Sequence, residues 1–352
     1  MMTLSKSTEP WCRDPFVHID IIIENQYAHY KPCNVYAKSY TTPDFKIIQN
    51  ELLNGRWAEG CTNCKSAELS NINSRRKGVN LIHKDKPLVV SSIGLRYGTL
   101  CNSTCLICDE TRSSAWASEL LKKSISIRPE YKFNKKLMPD LSEVLKDIDC
   151  STITNVELHG GEPLLNSCTR DILDMLPIEN LSVKINTNGT VWPEWMDKFT
   201  KTKSTEILFS IDDIGNRLEY LRPPAKFDVV TENIKKSKDM KFKTGCTYVI
   251  SSLNVYYLPE FLMWAVKNFG ISLYGQFMFD DTKYSLFNLP ESAKLKVIEK
   301  FNQHHKLTKL LTPVIIEMSK NSTKQDTALY NTIQDSKFKT VFPEWYDILN
   351  HV

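Results

Sequence analysis

The chain has 352 residues, 41% hydrophobic and 24% charged, which suits a globular protein with room for two or three domains. No apolar run approaches the roughly 20 residues of a membrane span, and "MMTLSKSTEPWCRD" lacks the apolar stretch of a signal peptide, so a cytoplasmic protein with no membrane partner is expected. The net charge of +4 is small and its Lys and Arg are scattered, which gives no case for nucleic acid.

The first 85 residues show little periodicity and are rich in Cys, Asn and turn residues. Their end, residues 65–86, holds Lys65, Arg75, Arg76, Lys77, Lys84 and Lys86 and reads as a solvated connector. From residue 88 a rhythm sets in. "LVVSSIGLRYGTL" reads as a strand running into the loop "CNSTCLICDE". "SSAWASELLKK" reads as a helix capped by Ser113 or Ser114. "DLSEVLKDID" puts Leu141, Val144, Leu145 and Ile148 at helical spacing, with Asp140 as cap. "NVELHGG" is a strand and "SCTRDILDML" a helix; "LSVKINTNG" is a strand and "PEWMDKFTK" a short helix with Pro193 in its first turn. "EILFSIDD" and "FDVVTENIKKSKD", then "GCTYVISS" and "LPEFLMWAVKNFG", repeat the pair, and "ISLYGQFMF" is a sixth strand. Beyond residue 280, "PESAKLKVIEKFNQHHKL" is a helix and "VFPEWYDIL" a packed tail.

Strands alternating with helices imply right-handed crossovers and a parallel sheet with helices outside. Ligands in such folds bind at the C-terminal strand edge. That edge holds "GGEP", "NTNG", "SIDD" and "SSLN".

Ten cysteines in a reducing compartment are expected as ligands, catalytic groups or core residues. Cys150, Cys168 and Cys246 stand singly and read as small buried hydrophobes. Cys101, Cys105 and Cys108 form a C-x3-C-x2-C cluster with no fourth member nearby. Three thiolates can hold three corners of a [4Fe–4S] cube and leave one iron open, as a catalytic metal site requires. One strand later, Gly160 and Gly161 allow a ligand close to the backbone, beside the carboxylate of Glu162.

With the CxxxCxxC loop, "GGEP", "NTNG" and "SIDDIGNRLEYLR", residues 88–280 resemble the radical S-adenosylmethionine (SAM) superfamily. The resemblance implies that Cys101, Cys105 and Cys108 ligate a [4Fe–4S] cluster whose open iron is chelated by SAM. It places Ile107 where the family often has an aromatic residue whose backbone meets the adenine. It sets Gly160, Gly161 and Glu162 against the methionine amino group. Ser210 and Asp212, or Asn186 and Asn188, reach the ribose, and "VISS" lines the adenine. Arg222 pairs with the SAM carboxylate or with substrate, as a bidentate fork suits a carboxylate.

Cys12, Cys33, Cys61 and Cys64 make a second set, and "GCTNC" is half of a common four-thiolate site. Four ligands close a site, which suits a structural or electron-relay role. "WCRDPFVHIDIIIENQYAHYKPC" followed by "LLNGRWAEGCTNCKSAE" resembles the auxiliary-cluster modules of SPASM or twitch type. The resemblance implies two strands, the second ending in Pro-Cys, and a helix leading to CxxC. Such modules often carry a second cysteine directly after Pro-Cys, where this chain has Asn34. That leaves the fourth ligand open, with Cys12 chosen. Iron–sulfur and zinc both fit the spacing.

The expected architecture is a (β/α)6 partial TIM barrel over residues 86–280, with a cysteine-rich module at 1–85 and a C-terminal helical segment at 281–352. The expected function is reductive SAM cleavage, with hydrogen abstraction from an organic substrate, peptides and proteins among the candidates. A flavodoxin or ferredoxin would supply electrons. The alternative is an iron–sulfur or zinc protein that transfers electrons without SAM turnover.

Overall fold

The computed structural model describes residues 10–24, 27–69, 73–82, 84–85, 87–127, 138–278, 283–319 and 327–350; Lys86 and Phe279 lie outside these. The chain divides into two compact units. One comprises residues 1–100, 126–185 and 194–205, and the other 101–125, 186–193 and 206–352.

The first unit is built on β1 (His18–Glu24), β2 (Tyr27–Lys31), β3 (Ser92–Tyr97), β4 (Asn155–His159) and the start of β5 (Ser182–Thr187). Their order is β2-β1-β3-β4-β5. β1 and β2 form an antiparallel hairpin, and β1, β3, β4 and β5 run parallel. Period-two alternation explains the sheet. Ile19, Ile21, Ile23, Ile93, Leu95, Val156, Leu158, Val183 and Ile185 form one buried aliphatic face. The residues between them form a mainly polar face, with Ile22 as its apolar member on β1.

The opening 85 residues therefore hold more order than their composition suggests. Besides β1 and β2 they contain the helices Lys46–Leu53, Thr62–Leu69 and Arg75–Ile82. The segment expected as a solvated connector carries two part-buried ion pairs, Arg75 to Asp14 at 2.6 Å and Arg76 to Glu68 at 2.5 Å. In β1 the alternation of "HIDIIIE" is masked by Ile22, an apolar residue on the otherwise polar side. β1 pairs in register with β3 of the same sheet, so its apolar face continues that of the parallel strands and needs little core of its own.

The second unit contains β6 (Ser204–Ser210) from Glu206 onward, β7 (Lys243–Ile250) and β8 (Leu273–Phe277), all parallel and in that order. The helices Asn216–Leu221 and Phe227–Asp239 follow β6, and Leu258–Phe269 follows β7. This is the strand–helix alternation of an α/β fold with mostly parallel strands. Pro259 opens the last of those helices, and Gly270, at φ +61°, takes the left-handed position that ends it. "PEWMDKFTK" forms a 3-10 helix (Glu194–Lys201), and "SCTRDILDML" is α-helical only over Ser167–Asp171. The C-terminal helices are fixed by aromatic packing. Trp345 is fully buried, stacks on Tyr256 at 5.3 Å, and donates its Nε1 hydrogen to Ser252 O at 2.8 Å. Tyr220 lies edge-on to the buried Phe338 and Phe342.

Candidate active site

The cysteine loop belongs to the second unit and is strapped at both ends. Ser114 Oγ accepts from Cys101 N at 3.1 Å, and Trp116 Nε1 donates to Cys105 O at 2.9 Å. Thr104 N donates to Pro223 O and Leu106 N to Leu221 O, at 2.7 and 2.9 Å. Ser113, not Ser114, caps the following helix by accepting from Trp116 N. Ser113 also donates to Ser103 O at 2.6 Å, so helix and loop share one anchor.

Burial pushes the Cys105 thiol up to about 12, opposed by Arg222, with Cys108 and Cys101 adding to the rise. The three sulfurs thus feel one another. Arg222 Nη1 lies 3.7 Å from Cys105 Sγ, and its Nε donates to Asp212 Oδ2 at 2.7 Å. Burial works against the Arg222 charge, but Asp212 and Cys105 outweigh it and keep the guanidinium protonated.

Asp212 is held on both oxygens, since Oδ1 accepts from Val249 N at 2.8 Å. Asn254 extends the network. Its Nδ2 donates to Asp212 O and Val249 O, and its Oδ1 accepts from Ser251 N. A polar strut therefore runs from the Cys105 sulfur through Arg222 and Asp212 to the end of β7, where Val249, Ile250, Ser251 and Ser252 lie. Sequence reasoning missed Asn254. Its position four residues into the loop after β7 was the available signal, since Asn readily bonds its own local backbone.

Asn188 turns its side chain onto the cysteine loop. Its Nδ2 reaches Asn102 Oδ1 at 2.9 Å and Ser103 Oγ at 3.0 Å, and its Oδ1 accepts from Thr190. Ser210 Oγ lies 3.2 Å from Thr247 Oγ1. Asn186 and Ile107 are half-buried in the same unit.

The first unit holds "GGEP". Gly160 and Gly161 have φ of +86° and +28°, in the region glycine tolerates. A Cβ on Gly161 would stand 2.1 Å from Leu100 O, and Glu162 N donates to that oxygen at 2.7 Å. Glu162 is only 1% exposed, and its Oε1 accepts from Leu164 N at 3.0 Å. The sequence suggested an open strand end here; the carboxylate is instead built into the turn.

Cys12, Cys33, Cys61 and Cys64 line one cavity with Tyr36, Trp57, Arg75 and Arg76. Burial raises Cys12 first, with smaller contributions from Asp14, Cys33 and Cys61. Cys33 is pushed up to about 12 and Cys61 to about 11, burial being the main cause for both.

Among the described residues no three His, Cys, Asp or Glu close around a single metal ion. The fit to a metal group rests on donor chemistry. Three mutually coupled thiols beside a buried cation suit an anionic cluster with one open iron, and four thiols around one cavity suit a closed site.

The radical SAM superfamily model matches residues 95–263, which hold the cysteine loop, "GGEP", "NTNG" and the strut. The chain belongs to the radical SAM superfamily, and it is an enzyme of that class. The family implies a [4Fe–4S] cluster, SAM, an external reductant and a substrate. The chain is 30% identical to 7-carboxy-7-deazaguanine synthase of Clostridium acetobutylicum over 181 residues, 48% of this chain and 68% of that one. It is 26% identical to the Aquifex aeolicus protein of the same name over 142 residues, 40% of this chain and 51% of that one. Among solved structures, anSMEcpe with bound AdoMet gives a TM-score of 0.44 at 17% identity, covering 62% of this chain and 59% of that one. Among the described residues no helix is long and apolar enough to cross a membrane.

Proposed function

We propose that this enzyme reductively cleaves SAM and abstracts a hydrogen atom from an organic substrate. The observation that carries the reading is the trio Cys101, Cys105 and Cys108 on one strapped loop, with Arg222 set against Cys105. Cys101, Cys105 and Cys108 would hold a [4Fe–4S] cluster, which would supply the electron, received from a flavodoxin or ferredoxin, for reductive cleavage of SAM and hydrogen abstraction from the substrate.

The chain's own residues bind and orient. Glu162 and the carbonyls of Gly160 and Gly161 accept from the methionine amine. Arg222 keeps donors beyond those on Asp212 and Cys105 for the carboxylate. Ser210 and Asn186 face the ribose, and Val249 and Ile250 the adenine, with Ile107 offering its backbone. Asp212 and Asn188 act through others, because their side chains are engaged by Arg222 and Val249 and by the cysteine loop. Cys12, Cys33, Cys61 and Cys64 hold a second cluster, with zinc as the other candidate. The two relatives are named as synthases of a small carboxylated heterocycle, which favours small-molecule chemistry over a peptide substrate here.

The test is anaerobic reconstitution with iron and sulfide, addition of SAM and dithionite, and detection of 5′-deoxyadenosine by mass spectrometry. Wild-type protein should form it and Cys105→Ala should not. Protein with a full core cluster that never cleaves SAM would instead be an iron–sulfur electron carrier.

A further inference from the structure

We infer that the polar face of β1, β3 and β4 carries a subsite for a zwitterionic substrate, with Asp20 taking its cationic or N–H end and Arg96 its carboxylate. The inference rests on the proposal that the enzyme acts on a small organic molecule. It adds a residue from β1, which lies outside the family-matched stretch.

Register defines the face. Lys31, Asp20, Gly94, Glu157 and Lys184 stand in one row from β2 to β5, and Ile22, Arg96 and His159 stand in the next row toward the C-terminal edge of β1, β3 and β4. Partners in register point the same way, opposite the aliphatic face. Asp20 is 4% exposed. Its carboxylate lies over Gly94, where a Cβ would stand 2.5 Å from Oδ1, so the glycine is the cradle that lets the carboxylate lie down.

Among the described residues Asp20 makes no hydrogen bond or ion pair. Burying a carboxylate without partners is unfavourable, and burial raises its pKa against the pull of Arg96, His159, Lys31 and Arg75. Arg96 also makes no hydrogen bond or ion pair among the described residues. Its stem rests on Gly160, where a Cβ would stand 2.2 Å from Cγ. That contact keeps it in its own row, roughly 6.6 Å along the strand from Asp20.

Arg75 is paired with Asp14, and Lys31 stands beside Asp20 in register on β2 as a flanking cation. Glu157 lies 3.3 Å from His159 Nε2, a bond that pulls its pKa down to about 2. Lys184 has a partner as well. The Asp20 carboxylate and the Arg96 fork are left a row apart and not closed on each other, with Lys31 flanking Asp20. A carboxylate takes N–H donors and a guanidinium takes a carboxylate bidentately, so the pair fits a ligand carrying both ends a few bonds apart.

The experiment uses a molecular ruler on full-length, SAM-saturated holoenzyme under anaerobic conditions. β-Alanine, 4-aminobutyrate and 5-aminopentanoate are compared with propylamine and butyrate by saturation-transfer NMR. At least one zwitterion should bind tenfold or more tightly than either mono-ion. Asp20→Asn should weaken zwitterion and amine tenfold and leave butyrate unchanged. Arg96→Gln should weaken zwitterion and butyrate and leave the amine unchanged. Asp20→Asn should also melt no lower than wild type, since it removes an uncompensated buried charge. Absence of zwitterion preference, or variants that bind as wild type, overturns the subsite, as does an Asp20→Asn protein that melts early and still binds. Glu162→Gln should lose SAM and, in SAM-free protein, keep the probes. Loss of 5′-deoxyadenosine formation in wild type with intact probe binding would count against the SAM reading alone.

Discussion

Arg222 and Glu162 each do two things at once, and each can be separated by the right substitution. The Arg222 charge beside Cys105 favours the reduced, more negative cluster. Arg222→Gln should lower the midpoint potential by tens of millivolts, where about 59 mV is tenfold for one electron. Asp212→Asn removes the carboxylate that offsets Arg222 and should move it the other way. The check is an EPR-monitored redox titration of the signal that Cys105→Ala abolishes. Equal shifts in one direction would mean that both residues act only by shaping the loop. Glu162 caps Leu164 as well as facing SAM. Glu162→Gln keeps an acceptor for that cap and removes the charge, so SAM affinity should fall about tenfold to hundredfold for a charge-assisted bond of roughly 1.5–3 kcal/mol. Its melting temperature should hold. Glu162→Ala should lose both, and calorimetric SAM binding beside melting curves distinguishes the two. The "GGEP" carboxylate was visible in the sequence, but its burial was not, because the turn is closed by Leu100 from the loop after β3, some 60 residues earlier.

The N-terminal elements depend on their neighbours to different degrees. β1 is held by the parallel sheet through β3, whereas the helix Thr62–Leu69 has no buried residue. That helix carries Cys64 and starts beside Cys61, so a metal held by those thiols would supply what its packing lacks. Fully reconstituted protein should bind about eight irons if both sets hold four-iron clusters. Changing Cys101, Cys105 and Cys108 together to Ala should leave about half, and loss of all iron would overturn the two-site reading. Cys61→Ala should lower the melting temperature while SAM affinity stays within a few-fold. The CxxC spacing was legible in sequence; β1 and β2 were expected there only from the resemblance, since Ile22 masks the alternation in "HIDIIIE".

Across the molecule, one buried group outside the sites tunes stability. Burial raises Asp213 to about 7, against the ion pair with Arg217 at 2.9 Å. A carboxyl raised in the folded state binds its proton more tightly there than in the unfolded chain. Its stabilising contribution is complete below about pH 4 and is lost as pH rises through 7. The melting temperature should therefore fall between about pH 4 and 7, and Asp213→Asn should flatten that slope. A slope unchanged in the variant would place the titration elsewhere. Arg217 keeps the Tyr257 ring 4.3 Å away, which preserves a partner for it in the variant. The sequence by itself determined the six strands alternating with helices, the cap at Asp140 and a serine cap at Ser113 or Ser114, and the two cysteine sets. Those are local facts, written in periodicity and spacing. Tertiary structure decided that Asp212 serves Arg222 and Val249, that Asn188 holds the cysteine loop, that Trp345 ties the C-terminal helix to Ser252, and that Asp20 lies over Gly94. Each depends on which strand lies beside which, and a side chain's partner across a parallel sheet is set by register and crossover, which no single stretch of sequence contains.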